Sequence, residues 1–499
     1  MLGGKEDASC IVDLQAISSL ISHFSKHSYK ADATSSMVSQ VEDTCLQIFQ
    51  KGYQCNILYN NGGNHCSHYP TKIIISAGEK SFERHKEISL GNLNDLISKS
   101  KKARCRSRFV IPVLWIKEKL HMLQCICRSS TLASAAELYG RSGYDYLFSG
   151  GKNVAVNKEP SARTQDGAIV DKVRGYDIQL LKELSVKYIL DLMLERKKVK
   201  YGLNITSSEK VDKENRYGDF EIASSPYPGC EIFQNFKNNG YCGEGVCFDW
   251  SQDFADAFLS IPTSVPLPVN IEWKNYKLWD LVTLTQNYLR LILSIIGEGK
   301  GNLLIHCISG WDRTPLFISL IRMSLWADDK IHQSLSAEEI LYLTIAYDWF
   351  LFGHNLQDRL VKGEEIFYFC FDYLKYIVSE EFVLKSERFN TQQCRNKDES
   401  LLSKIDGISL ESSCGNASHD FFSCNDDACT SSMSPHTTSN KHGIQQSRTT
   451  KLATVRSLFL TVYAAEIGHD TSQNTNTGLA GILDGITSKM IKAARVAYI

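Results

Sequence analysis

The spacing of apolar residues divides the chain into stretches of different character. Residues 11–50 place Ile11, Leu14, Ile17, Leu20 and Ile21, then Val41, Leu46, Ile48 and Phe49, at helical intervals, which predicts amphipathic helices. Short β-rich runs follow at 53–59, 72–76, 109–116 and 121–127, with a helix-like stretch over 93–101. Together these predict an α+β N-terminal domain over 1–149. A polar stretch over 150–171 reads as a linker or surface loop. Beyond it the pattern alternates: helix-like 177–184, strand-like 187–193 and 220–223, a strongly apolar helix over 281–296 and a strand over 302–305. Helix, strand, helix, strand predicts an α/β domain with a largely parallel sheet, here bounded at 172–385.

The last hundred residues read differently again. Ser, Thr, Asn, Asp and Gln dominate 386–450 and apolar residues are few, the composition of a disordered segment. Amphipathic helices are expected over 451–499. Within them 479–496 gathers Leu479, Ile482, Leu483, Ile486 and Met490 on one face, with Lys489, Lys492 and Arg495 off it. That layout suits either an anionic membrane surface or packing on the core.

Charge and cysteine content narrow the classes. Lys plus Arg (55) nearly equals Asp plus Glu (56), which argues against a dedicated nucleic-acid binder. The N-terminus lacks a basic region followed by an apolar run, and the apolar stretch at 289–296 is far short of the roughly 20 residues of a membrane span. A cytoplasmic protein with at most peripheral membrane contact is expected. The sixteen cysteines include no C-x-x-C pair, so reduced thiols are expected and no metal site.

One segment carries chemistry. Cys307 and Arg313 stand at C-x5-R spacing in Leu303-Leu-Ile-His-Cys-Ile-Ser-Gly-Trp-Asp-Arg-Thr-Pro-Leu316. An apolar strand leads in, Gly310 lies mid-loop, and Thr314-Pro315 suits a helix start, with Thr at the N-cap. Such a loop can turn its backbone N–H groups onto one point at a positive helix end. A thiol at its base becomes a thiolate and an in-line nucleophile on phosphorus. Arg313 can fork onto two phosphate oxygens, and the Thr314 hydroxyl can stabilise the thiolate. Ile308, Ser309, Gly310, Trp311 and Thr314 are expected to line the bound phosphate. Asp312 is the first candidate for the acid that protonates the leaving oxygen; its alternative role is to brace the loop. Asp280, and the cluster Asp249, Asp253 and Asp256, are further acid candidates, though a helix-end charge and a solvated face account for them more simply.

The segment His306-Cys-Ile-Ser-Gly-Trp-Asp-Arg-Thr314 resembles the loop C-S-D-G-W-D-R-T of the myotubularin phosphoinositide phosphatases. A second segment, Asp348-Trp-Phe-Leu-Phe-Gly-His354 with Arg359, is similar to the E-W-x-x-F-G-H stretch that follows the family's loop; by themselves Trp349, Phe352 and His354 read as helix core. Ile308 and Ser309 replace the usual Ser and Asp, and Asp348 replaces Glu. With D-K-V-R-G-Y-D and S-P-Y-P-G-C-E elsewhere, these departures resemble a divergent branch of the family. The resemblance implies a protein tyrosine phosphatase-like fold and a pleckstrin-homology/GRAM-like N-terminal region. It also implies removal of the 3-phosphate from phosphatidylinositol 3-phosphate and phosphatidylinositol 3,5-bisphosphate through a cysteinyl phosphate. No cofactor is called for, because nucleophile, acid and cation are side chains. Recruitment to endomembranes, in endosomal traffic and autophagy, is the setting it implies. A protein tyrosine or dual-specificity phosphatase would use the same loop chemistry. A non-catalytic phosphoinositide-binding adaptor is disfavoured by the presence of Cys307, Asp312 and Arg313. The basic run Arg196, Lys197, Lys198 and Lys200 fits a polyanionic headgroup or a solvated strand end equally.

Overall fold

The computed structural model describes residues 12–33, 35–79, 90–117, 123–134, 137, 162–200, 203–212, 214–384 and 436–468. The described strands are β1 (Tyr53–Tyr59), β2 (Lys72–Glu79), β3 (Ile111–Lys117), β4 (Leu123–Ser130), β5 (Leu132–Ala133), β6 (Val186–Asp191), β7 (Lys197–Lys200), β8 (Leu203–Ser207), β9 (Glu221–Ser224) and β10 (Asn302–Cys307). A five-stranded sheet in the order β3-β4-β10-β6-β9 forms the centre of the molecule. β10 runs parallel to β4 and β6, β6 runs parallel to β9, and β3 pairs antiparallel with β4. The sheet is therefore mixed, in an α/β architecture.

The sequence explains the central position of β10. Leu303, Leu304 and Ile305 are apolar in succession and buried, as a strand covered on both faces requires. The helix Leu281–Glu298 carries the chain to it, capped at its start by Asp280 and ended by Gly299 in the left-handed conformation (φ 68°). The helix Arg313–Ala327 then runs buried along its whole length. This strand, turn and helix put Cys307 at the carboxyl end of the sheet, where open α/β folds hold ligands.

The expected boundary between 149 and 172 is corrected. β3 and β4 were expected in the N-terminal domain, but they pair within the central sheet: Cys127 stands beside Leu304, and Ser130 beside Cys307. The apolar run of β4 needs a sheet on both flanks, and β10 and β3 supply it. What remains of the N-terminal region is the β1–β2 ladder with helices at Leu14–Lys26, Ser36–Gln50 and Leu90–Ser100. Among the described residues it has no larger sheet of its own, so the pleckstrin-homology/GRAM-like expectation finds no match there. The segment read as a linker is helical from Ala162, in a helix ending at Glu183.

A second correction concerns the C-terminal region. The helix His436–Ile467 begins inside the stretch expected to be disordered, and its buried residues explain why it folds. Leu452, Val455, Phe459 and Tyr463 are buried, and Phe459 stacks on Phe371 with centroids 4.1 Å apart. Arg448, also buried, donates to the carbonyls of Ser324 (3.0 Å) and Ile377 (2.9 Å). Residues 451–467 are thus part of the core. The amphipathic stretch 479–496 lies outside the described residues. None of the described helices is long and apolar enough to cross a membrane.

Candidate active site

The loop from Cys307 to Arg313 curls round a single sulfur. The backbone N–H of Gly310 and the hydroxyl of Thr314 each donate to Cys307 Sγ at 3.2 Å. Gly310 is required here: its φ is +68°, and a Cβ at this position would lie 2.7 Å from the Ser129 carbonyl oxygen on β4. Any side chain would push the loop off the sheet. The helix begins at Arg313 with Asp312 preceding it, so Thr314 is not the N-cap expected from sequence. Its hydroxyl turns back to the thiol instead.

Burial alone would raise the Cys307 thiol. The neighbouring Arg313 charge and the hydroxyl and N–H of Thr314 outweigh it, and the net shift is downward. The sulfur thus carries more thiolate character than an ordinary cysteine. Arg313 is buried, and burial opposes its charge, but Cys307 and nearby carboxylates more than restore it. Its Nη1 donates to the carbonyls of Leu192 and Tyr227, both at 2.9 Å. Those carbonyls follow β6 and β9, so the ends of two adjacent strands aim the guanidinium beside the sulfur.

Asp312 is held on both oxygens. Arg359 donates Nε to Oδ1 (3.1 Å) and Nη2 to Oδ2 (2.9 Å), and His354 Nδ1 lies 2.9 Å from Oδ1. Burial works against its charge, but the His354 and Arg359 contacts prevail and hold the carboxyl well below the usual range. His354 Nδ1 also lies 3.0 Å from the Trp311 carbonyl. The segment 348–354 therefore reaches the loop through His354, while Trp349 and Phe352 are buried core as their spacing suggested. The helical run Thr344–Phe350 is a π-helix, a local widening that often accompanies functional sites. Asp348, on that run, forks onto Arg322 through two 2.8 Å bonds.

Three arginines that the sequence reading passed over reach the loop from its other side. Arg108 Nη2 donates to the Gly310 carbonyl (3.1 Å) and the Phe352 carbonyl (2.7 Å). Arg128 Nη2 donates to the same Gly310 carbonyl (3.0 Å), and its Nη1 to the Asp348 carbonyl (2.7 Å). Arg106 donates to the Ser309 hydroxyl. The signal was present in Arg104, Arg106 and Arg108, three arginines at alternate positions entering an apolar strand. Such residues are rarely buried without partners.

Of the other acid candidates, Asp253 is exposed and the remaining three have structural roles. Asp280 caps its helix by accepting the Thr283 N–H at 2.8 Å and also accepts the Gly245 N–H at 2.9 Å. Asp249 closes a turn on Ser251, and Asp256 accepts the Arg196 N–H. In the basic run Lys197–Lys200 forms β7, paired with β8 in a separate three-stranded sheet of order β5-β8-β7. Behind Cys307, buried Asp191, Glu209 and His306 bring ligand-type atoms within 4.8 Å of one another. Glu209 is already paired with Arg104, and Asp191 accepts the Met193 N–H (2.9 Å) and the Ser208 hydroxyl. The trio reads as a buried ion-pair network rather than a set of free metal ligands. Burial disfavours the His306 charge, but Glu209 and Asp191 more than compensate and raise its proton affinity.

No family model matches the chain. Among curated proteins it is similar to the phosphatidylinositol-3,5-bisphosphate 3-phosphatase MTMR14 of Homo sapiens, with 52% identity over 413 residues, 79% of this chain and 61% of that protein. The protein of the same name from Mus musculus is 53% identical over 386 residues, covering 74% and 59%. Myotubularin of Xenopus laevis matches 70 residues at 30% identity. The chain spans about three fifths of the length of the first two relatives. Over most of its own length the chain is thus similar to MTMR14, a protein of the myotubularin family.

Proposed function

We propose that this chain is a phosphoinositide 3-phosphatase acting on phosphatidylinositol 3,5-bisphosphate and phosphatidylinositol 3-phosphate. The observation that carries the reading is the Cys307 thiol at the base of the loop, with Gly310 N–H and Thr314 hydroxyl on its sulfur and Arg313 beside it. The names of the MTMR14 relatives supply the substrate class.

In this reading the Cys307 thiolate attacks the 3-phosphorus, an S–P bond forms, and the P–O bond to inositol breaks as that oxygen leaves, taking its proton from solvent water. Loop N–H groups, with Ile308, Ser309, Gly310 and Trp311 around them, cradle the phosphoryl oxygens, and Arg313 neutralises them as charge shifts. Water then cleaves the S–P bond, releasing phosphate and restoring the thiolate, which Thr314 stabilises. Asp312, with both oxygens held by Arg359 and His354, suits a bracing role better than the acid role expected from its position. A lipid substrate requires contact with a membrane surface, which we take to be peripheral and on endomembranes in endosomal traffic and autophagy. No metal or other cofactor enters these steps.

The test is hydrolysis by the purified chain of short-chain 3-phosphoinositides and of a phosphotyrosine peptide, with Cys307→Ser as the blank. Phosphate release from the inositides well above the peptide supports the reading. Preference for the peptide would transfer it to a tyrosine phosphatase, and binding without turnover to an adaptor.

A further inference from the structure

Arg106 sits at the rim of the loop, with no carboxylate paired to its guanidinium among the described residues. The residue lies in the turn Cys105–Ser107 that precedes β3, and its φ of +54° is followed by +56° at Ser107. Two successive non-glycine residues in the left-handed region are strained, and such strain persists where surrounding structure holds it. Glu137 helps to hold it by accepting the Arg106 backbone N–H at 3.0 Å. The turn delivers the side chain across the loop: the guanidinium carbon stands 4.4 Å from the Trp311 ring centroid, and Nη1 donates to Ser309 Oγ. Its other polar contact is Cys105 Sγ at 3.8 Å. Among the described residues the Arg106 guanidinium makes no ion pair, although the residue is exposed.

The contrast with the other loop arginines is informative. Arg359 meets the carboxylate of Asp312, while Arg108 and Arg128 are buried against carbonyls. Among the described residues the Arg106 guanidinium meets no carboxylate; on the loop it donates to the Ser309 hydroxyl, at the position where the family loop has Asp. An Asp there would neutralise the guanidinium. Ser309 leaves it without that carboxylate, over an aromatic ring and exposed, the presentation that suits a guanidinium to bidentate phosphate binding.

We propose that Arg106 is a specificity-determining residue that binds a second phosphate of the inositol headgroup, one other than the phosphate held over Cys307. This rests on the phosphoinositide reading above. The second phosphate displaces the Ser309 hydroxyl from Nη1, and the Trp311 ring keeps the guanidinium in place. Preference for bisphosphorylated over monophosphorylated lipid then originates in the N-terminal half of the chain.

The experiment measures kcat/KM for short-chain phosphatidylinositol 3,5-bisphosphate and 3-phosphate with the wild-type chain, Arg106→Gln, Arg106→Lys and Ser309→Asp. Arg106→Gln is expected to lower the bisphosphate-to-monophosphate ratio about tenfold, mainly through KM, the size of one lost charge-assisted contact. Arg106→Lys should keep part of the preference. Ser309→Asp should lower the ratio in the wild-type background by more than steric change alone would, because the new carboxylate captures the guanidinium. If Arg106→Gln folds poorly, the wild-type ratio itself is read against salt, and should fall as ionic strength rises. An unchanged ratio in Arg106→Gln, equal losses on both lipids, or a salt-independent ratio overturns the proposal and leaves Arg106 as a prop for Trp311. Wild-type turnover of the monophosphate lipid carries the earlier reading separately. If neither lipid is hydrolysed, both readings fall.

Discussion

The loop over Cys307 is held from two sides, and the arginines on the two sides differ in what answers their charge. On the inner side Arg313 keeps its full positive charge beside a thiol, and Arg359 is matched by the carboxylate of Asp312. On the outer side Arg108 and Arg128 are wholly buried, and among the described residues their hydrogen bonds go to carbonyl oxygens rather than carboxylates. Burial weakens the charge of both, and for Arg128, with Arg108 close by, it pushes the value down to about 10. Arg313 supplies charge where, in the proposed reading, a phosphate would sit, and Arg359 holds the Asp312 carboxylate. The outer pair supplies hydrogen bonds and fixes the carbonyl side of the loop, so that its N–H side faces inward. Chemistry and position are thus assigned to separate residues of the same type.

Substitutions can separate the two sides. The largest effect is expected for Cys307→Ser, whose hydroxyl stays protonated: turnover should fall by more than about a thousandfold with the melting temperature nearly unchanged. Residual activity of several per cent would remove Cys307 as nucleophile. Arg313→Lys should lose about a hundredfold in kcat with little loss of stability, because an ammonium cannot reproduce the fork. Arg108→Met inverts that pattern. It leaves the buried carbonyls of Phe352 and His68 without a donor, and a loss of about 2 kcal/mol of stability is expected, with a smaller fall in activity. If Arg108→Met proves stable but inactive, the outer side takes part in chemistry and the division fails.

Asp312→Asn should reduce aryl phosphate and inositide hydrolysis alike if the residue braces the loop. A loss confined to inositide, whose alkoxide leaves poorly, would restore the acid role. The smallest effect is on acid stability. Because Asp312 is held below its ordinary value when folded, its contribution is present above the unfolded value near ~4 and is lost as pH falls through the folded one. The wild-type urea midpoint should therefore drop more steeply below about pH 4 than that of Asp312→Asn. Equal slopes would mean that His354 and Arg359 do not hold the carboxylate.

The inner side of the site was legible in the sequence because it is local. Strand, Cys307, Gly310, Arg313 and helix follow one another within the span of the motif, and hydrophobic runs fix where the strand and helix lie. Asp280 as a helix cap was legible for the same reason. The outer side was not, because it depends on which strand becomes the neighbour of β10. Nothing in the run 123–130 says that it pairs with residues far along the chain rather than with a sheet of its own, so nothing drew Arg108 and Arg128 toward the loop. His354 was masked differently: its aromatic neighbours made it look like core, which it also is. The polar residues at 436–450 hid a helix, since composition does not record that Arg448 will find carbonyls at Ser324 and Ile377.

The position of β10 also has a consequence for how the chain acquires its shape. β10 lies between β4 and β6, yet it follows both in sequence; Asn302, at its start, accepts the N–H of Cys125, 177 residues earlier. Until Asn302–Cys307 is in place, β4 and β6 each present an open edge with no partner on that side. Contacts so distant form late and slowly, and open edges invite wrong pairing. The strand that carries the reactive cysteine is therefore also the keystone of the sheet, and folding and the assembly of the site become one event.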